Sequence, residues 1–171
     1  MTKKTRSLMS ILWIGLFAGT LDISENLIFN GFRGITPWRV FQFITSGLIG
    51  LKSFRIGWTS VGLGVLIHYA IALSWTAIFY GAASRFRMIM RHPVLSGLIF
   101  GALVYFVMNF IVLPLSGVPH ARAASLTLAS RINAVLALLF CIGLPISLLV
   151  RTTLQRERAT AESASLISRT V

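Results

Sequence analysis

The chain has 171 residues, 56% of them hydrophobic and only 12% charged, and its mean hydropathy is +0.82. A soluble domain carries about 25% charged residues, so a soluble enzyme, a disordered chain and a free nucleic-acid binder are excluded and an integral membrane protein is indicated. The net charge of +12 sits in short basic clusters beside apolar runs, which makes the lipid bilayer and its anionic head groups, not nucleic acid, the fitting partner.

The first apolar run extends from about Leu8 to Asn30, behind the basic residues Lys3, Lys4 and Arg6. Those residues and Leu8 to Leu21 imitate a signal peptide, but the best cleavage site, Ala18-Gly19-Thr20, is poor and the run continues through Leu27, Ile28 and Phe29. It is read as an uncleaved first span.

Between the first and second spans lies a basic loop. Thr36-Pro37 offers an N-cap with proline at the first helical position, Trp38 to Ser46 reads as a short helix, and Gly47 is its stop signal. Arg39, Gln42 and Ser46 form a polar stripe at helical spacing, with Trp38, Phe41, Ile44 and Leu48 opposite. Such a helix is too short to span and suits an interfacial or re-entrant position, with Lys52 and Arg55 meeting lipid phosphates. Trp38, Arg39, Gln42, Lys52 and Arg55 are therefore the candidate lipid-interface residues. An ordinary structured loop packed on the bundle is the alternative.

Three further apolar runs cover about Trp58 to Ala83, Val94 to Gly117 and Leu126 to Val150. Each exceeds the roughly 20 residues that a helix needs to cross about 30 Å of hydrocarbon, and a helix satisfies its own backbone polar groups there. Gly15 and Gly19, and Gly97 and Gly101, each make a G-x-x-x-G pair that permits close helix approach. Packing of the first span on the third is expected, with homo-oligomer contacts as the alternative. Pro114 and Pro145 are expected to kink the third and fourth spans. The expected fold is an all-α four-span membrane bundle over 1–150, with a short amphipathic interfacial helix between the first two spans and a tail over 151–171.

Basic residues set the expected orientation. Ten (Lys3, Lys4, Arg6, Arg85, Arg87, Arg91, Arg151, Arg156, Arg158, Arg169) fall on the side of both termini, and six (Arg33, Arg39, Lys52, Arg55, Arg122, Arg131) on the other. The larger group marks the cytoplasmic side.

Ionisable groups inside a bilayer are costly, at about 2.5–3.5 kcal/mol near a helix centre. Two of the four acids, Asp22 and Glu25, lie in the first span three residues apart, with Asn26 on the same face. The second span holds His68, the third Asn109 and the fourth Asn133. At 1.5 Å rise per residue, Asp22, His68 and Asn109 all fall roughly 4–5 Å outward of their span midpoints. Asn133, Glu25 and Arg131 lie deeper toward the outer side, at roughly 7–10 Å. One reading pairs Asp22 with His68 and Glu25 with Arg131 in a cluster able to bind a proton, a cation or a polar head group. The other makes them mutual hydrogen-bond partners that fix helix register.

No catalytic, cofactor-binding or metal-binding set is expected. The single cysteine, Cys141, excludes an intrachain disulfide and a cysteine metal cluster. Gly62-Leu63-Gly64 lacks the third glycine of a dinucleotide fingerprint, and His92 and His120 belong to opposite sides.

Several segments together resemble an uncharacterised family of small four-helix bacterial inner-membrane proteins. They are Ala18-Gly19-Thr20-Leu21-Asp22, Pro37-Trp38-Arg39-Val40-Phe41-Gln42 with Ser46-Gly47-Leu48, Gly62-Leu63-Gly64 leading to His68, Asn109 with Leu113-Pro114-Leu115-Ser116, and Gly143-Leu144-Pro145. The resemblance covers roughly residues 15 to 150. It implies a bacterial inner-membrane location and supplies no activity.

The functional expectation is a non-enzymatic protein that scaffolds or assists an envelope complex. The alternatives are a small proton, ion or solute transporter using the Asp22–His68 layer, and a lipid-modifying enzyme. A sealed, dry bundle would favour the scaffold, a continuous water-filled path to Asp22 the transporter, and a lateral opening beside Arg39 and Gln42 the enzyme.

Overall fold

The structure, a computed structural model, describes residues 3–118 and 127–170. Among them there is no strand. Helix α1 covers Lys3–Phe32, α2 Pro37–Ile49, α3 Trp58–Arg85, α4 Arg87–Arg91, α5 Pro93–Leu115 and α6 residues 128–170. Four helical segments are long and apolar enough to cross a membrane: Thr5–Phe32, Trp58–Arg85, Pro93–Leu115 and Leu128–Glu157. This is an all-α, four-span membrane bundle. Trp13, Phe17, Leu66, Ile99, Phe110 and Phe140 point outward and exposed. A surface of this kind suits acyl chains. His120, Arg122 and Leu126 lie outside the described residues, as do the side chains of Lys3, Lys4, Arg158 and Arg169.

Helix α2 begins as expected: Thr36 is extended (φ −74°, ψ 149°) and Pro37 opens the helix, although the Thr36 side chain makes no capping bond. Its stop differs from the expectation. The helix runs past Gly47 to Ile49 and ends at Gly50, whose φ of 62° is open to glycine at little cost. Within the helix, the Gly47 carbonyl accepts from Gly117 N at 2.8 Å.

Both prolines reshape their spans in the same way. Proline has no N–H to offer the carbonyl four residues back, so the turn before it must find another pattern. Met108–Val112 and Leu138–Gly143 are wide π-helical turns, each ending two residues before its proline. Leu113 N bonds Met108 O and Leu144 N bonds Leu139 O, five residues back in both cases.

The glycine pairs close two seams, and the partners differ from those expected. Gly15 and Gly19 pack on α3, where an added methyl would meet Leu73, Thr76, Ala72 and Tyr69. Gly97 and Gly101 pack on α6, where a methyl at Gly101 would lie 2.5 Å from Leu138 O and one at Gly143 2.2 Å from Gly97 O. The first span therefore pairs with the second and the third with the fourth. Bare backbones face each other across the second seam, which only glycine allows. Ser147 fixes that seam by donating to Pro93 O at 2.6 Å.

The packed core occupies the half of the bundle that carries the termini. Ile14, Ala18, Phe79, Phe100, Val104, Ile142, Ile146 and Val150 are buried together there, with the Phe79 and Phe100 rings 4.8 Å apart. Tyr80 ties three helices at that end. Its hydroxyl lies 3.1 Å from both carboxylate oxygens of Glu157, into which it donates, and 3.2 Å from Ser7 Oγ.

Candidate functional site

The opposite half of the bundle is not filled. It holds a half-open cavity of about 420 Å³ walled by every long helix and by α2. Helix α1 contributes Asp22, Ile23 and Asn26; α2 contributes Val40, Phe43, Ile44, Gly47 and Leu48; α3 contributes Ile67, His68, Ile71, Ala72 and Trp75. Val104, Met108, Val112 and Leu113 of α5 and Ala134, Ala137, Leu138 and Ile142 of α6 complete the wall, with Ser116 and Val118 beyond α5. Both wide turns thus lie on the cavity.

Helix α2 is clamped as the fifth wall. Thr45 Oγ1 donates to Ser60 O at 2.6 Å at the start of α3. Gly64 of α3 lets the α2 backbone approach, since a methyl there would lie 2.2 Å from Phe41 O. The Gly117 N to Gly47 O bond holds the other end to the segment after α5.

The polar groups of the wall sit on α1 and α3, apart from Ser116, whose hydroxyl donates to Leu113 O. His68 Nε2 is 2.8 Å from Gly19 O. A carbonyl only accepts, so Nε2 carries the proton and Nδ1 of the neutral ring is an acceptor. The His68 ring also meets the edge of Tyr69, at 5.3 Å between centroids. Asn30 Nδ2 donates to Asn26 O at 2.9 Å and to Asn26 Oδ1 at 3.0 Å, which leaves the Asn26 amide nitrogen as donor. The structure therefore brings Asp22, Asn26 and His68 to one cavity. The hydrogen bond of His68 Nε2 goes to the α1 backbone and not to the Asp22 carboxylate.

The other residues singled out in the sequence are placed elsewhere. Glu25 is half-buried next to this wall, and its Oε2 is buried without a hydrogen-bond partner. Asn109 turns back on its own helix, donating to Tyr105 O at 3.0 Å, and does not line the cavity. Asn133 is half-buried and Arg131 exposed, and neither lines it. The cation that reaches α6 is Arg33, which donates to Ser130 Oγ and lies over the Phe29 ring.

Of the lipid-interface residues, Trp38, Arg39, Lys52 and Arg55 are exposed, with the Arg39 guanidinium 5.6 Å from the centre of the Phe54 ring. Gln42 is a correction: it is only 6% exposed, and Ser46 on the same stripe is fully buried. The stripe turns inward because α2 lies on the start of α3, where Thr45 binds the Ser60 carbonyl. Gln42 instead borders a small hollow of about 190 Å³ with Trp38, Gly57, Trp58 and Val61.

Among the described residues no three His, Cys, Asp or Glu side chains are grouped to hold a metal ion. Sequence reasoning missed the apolar walls, above all Phe43, Trp75 and the Met108–Val112 turn; Pro114 and Pro145 were the available signal for the wide turns. No family model, curated protein or solved structure matches the chain.

Proposed function

We propose that this is a small, non-enzymatic membrane transporter that moves protons, alone or with a solute, through the bundle, with Asp22 and His68 as its polar contacts. One observation carries the reading: the half of the bundle away from the termini holds a cavity of about 420 Å³ with a carboxylate and an imidazole on its wall. Placing ionisable groups at membrane depth is costly, and a cavity that gives them a ligand accounts for that cost. A bundle serving only as a scaffold has no use for such a space.

The excess of basic residues at the terminus-bearing side supports a cytoplasmic location of both termini, and the family resemblance supports a bacterial inner membrane. A second reading, an accessory to an envelope complex, draws support from α6. That helix continues past Glu157, the end of the apolar span, to Thr170.

Reconstitution in liposomes with an imposed pH gradient tests the transporter. Wild type is expected to speed the decay of the gradient, and both Asp22→Asn and the cavity-filling Ala134→Phe to abolish that effect. A wild type as tight as empty liposomes would leave the accessory reading standing.

A further inference from the structure

We propose that the cavity takes a lipophilic organic cation: one ammonium-type centre on a compact apolar body. This rests on the reading of the cavity as the working site and adds the chemistry of its occupant.

The size of the cavity, about 420 Å³, falls in the range of small-molecule sites, about 300–1,000 Å³. Its polarity is one-sided, with Asp22, Asn26 and His68 on α1 and α3 and an otherwise almost wholly apolar wall. An occupant with a polar end and an apolar body matches that division.

Charge decides which polar end fits. The lining contains a carboxylate and neither lysine nor arginine. His68 has committed its Nε2 proton to Gly19 O, which leaves Nδ1 as its other polar atom. Asn26 supplies the one amide donor. Glu25, three residues from Asp22 but outside the lining, holds a buried carboxylate oxygen without a hydrogen bond. An anion would meet like charge with neither lysine nor arginine to receive it. A neutral hydrocarbon would bury Asp22 without bringing it a counter-charge, which is expensive.

An inorganic cation fits no better. It needs several oxygen ligands in place of its water, and this wall is mostly carbon. An organic cation spreads its charge over alkyl groups and loses little by leaving water. The rings of Trp75 and Phe43 also line the cavity and can face such a centre.

Three probes of one shape separate the outcomes: benzyltrimethylammonium, its neutral carbon isostere neopentylbenzene, and the anion phenylmethanesulfonate. Their affinities are measured by saturation-transfer NMR on the full chain in lipid nanodiscs, against empty nanodiscs. The ammonium probe is expected to bind at least about tenfold more tightly than the isostere, and the sulfonate not at all. Asp22→Asn is expected to remove that preference while leaving the isostere unchanged.

Should Asp22→Asn fail to fold, Trp75→Leu keeps an apolar wall. It is expected to weaken the ammonium probe about threefold and spare the isostere. Equal binding of isostere and cation, or tighter binding of the sulfonate, would overturn the cation assignment and leave the cavity as a binding site. Failure of all three probes, or undiminished binding in Ala134→Phe, would overturn the cavity reading with it.

Discussion

Replacing Gly64 by alanine tests how α2 is held over the cavity. A methyl at Gly64 would lie 2.2 Å from Phe41 O, 2.8 Å from Phe41 C and 3.0 Å from Phe41 Cα. A relaxed carbon–oxygen contact is about 3.3 Å, so α2 must retreat by about 1 Å. The obstacle is backbone, which cannot swing aside as a long side chain does. Retreat would also stretch the 2.6 Å bond from Thr45 to Ser60 O. Overpacking of this kind costs about 1–3 kcal/mol.

Gly62 provides the control. It lies in the same helix, and a methyl there meets nothing within 4 Å. Alanine at either position gains about 0.5–1 kcal/mol from reduced backbone freedom. That gain is common to both variants, so their difference isolates the contact at about 1–3 kcal/mol. At about 2–4 °C per kcal/mol for a chain of this length, Gly64→Ala should melt several degrees below Gly62→Ala in detergent, followed by circular dichroism. Equal melting of the two would refute the reasoning.

Three further outcomes are expected. In a Cys141→Ala background, cysteines at Gly47 and Ser116 should form a disulfide, because the built Cβ of Gly47 lies 3.8 Å from that of Ser116, the usual spacing of about 3.8 Å; a free-thiol assay after mild oxidation checks it, and persistent thiols would contradict the placement of α2. Tyr80→Phe should cost about 1 kcal/mol and Glu157→Gln less, with the double variant short of their sum; additive losses in a thermal cycle would show that the pair is not in contact. A reporter fused after Val171 should read cytoplasm and one inserted near Arg33 the outside, and the reverse result would overturn the proposed orientation.

The sequence made the spans legible because each is a long apolar run bounded by charge, and length alone then identifies a crossing helix. It made α2 legible through Thr36-Pro37 and its polar stripe, but not the direction of the stripe. Amphipathic spacing says that two faces differ and not which neighbour covers each. Gln42 and Ser46 are buried because α3 begins beside them, a fact of tertiary position. The glycine pairs carried a similar ambiguity: they announce a close approach and leave the partner open. Residue counting placed Asp22 and His68 at one height, and they do share a cavity. Height says nothing of the direction around each helix, and Asn109, at the same height, satisfies its amide on Tyr105 O. Glu25 and Arg131 illustrate the same limit.

The division of the bundle into a packed half and a hollow half follows from where small residues and prolines fall along each helix. On α1 the small residues Gly15, Ala18 and Gly19 come first and the polar residues Asp22 and Asn26 follow, so one helix supplies both the seam and the wall. Glycine contacts draw α1 to α3 and α5 to α6 in one half. The wide turns before Pro114 and Pro145 then interrupt the regular hydrogen-bond ladder of α5 and α6 on the cavity side, and α2 closes the remaining space only partly. Seam and cavity meet at Leu138. Its carbonyl is the group that a methyl at Gly101 would strike at 2.5 Å, and its side chain lines the cavity. One residue thus belongs to both halves, so the packing of α5 on α6 also sets where this part of the cavity wall stands.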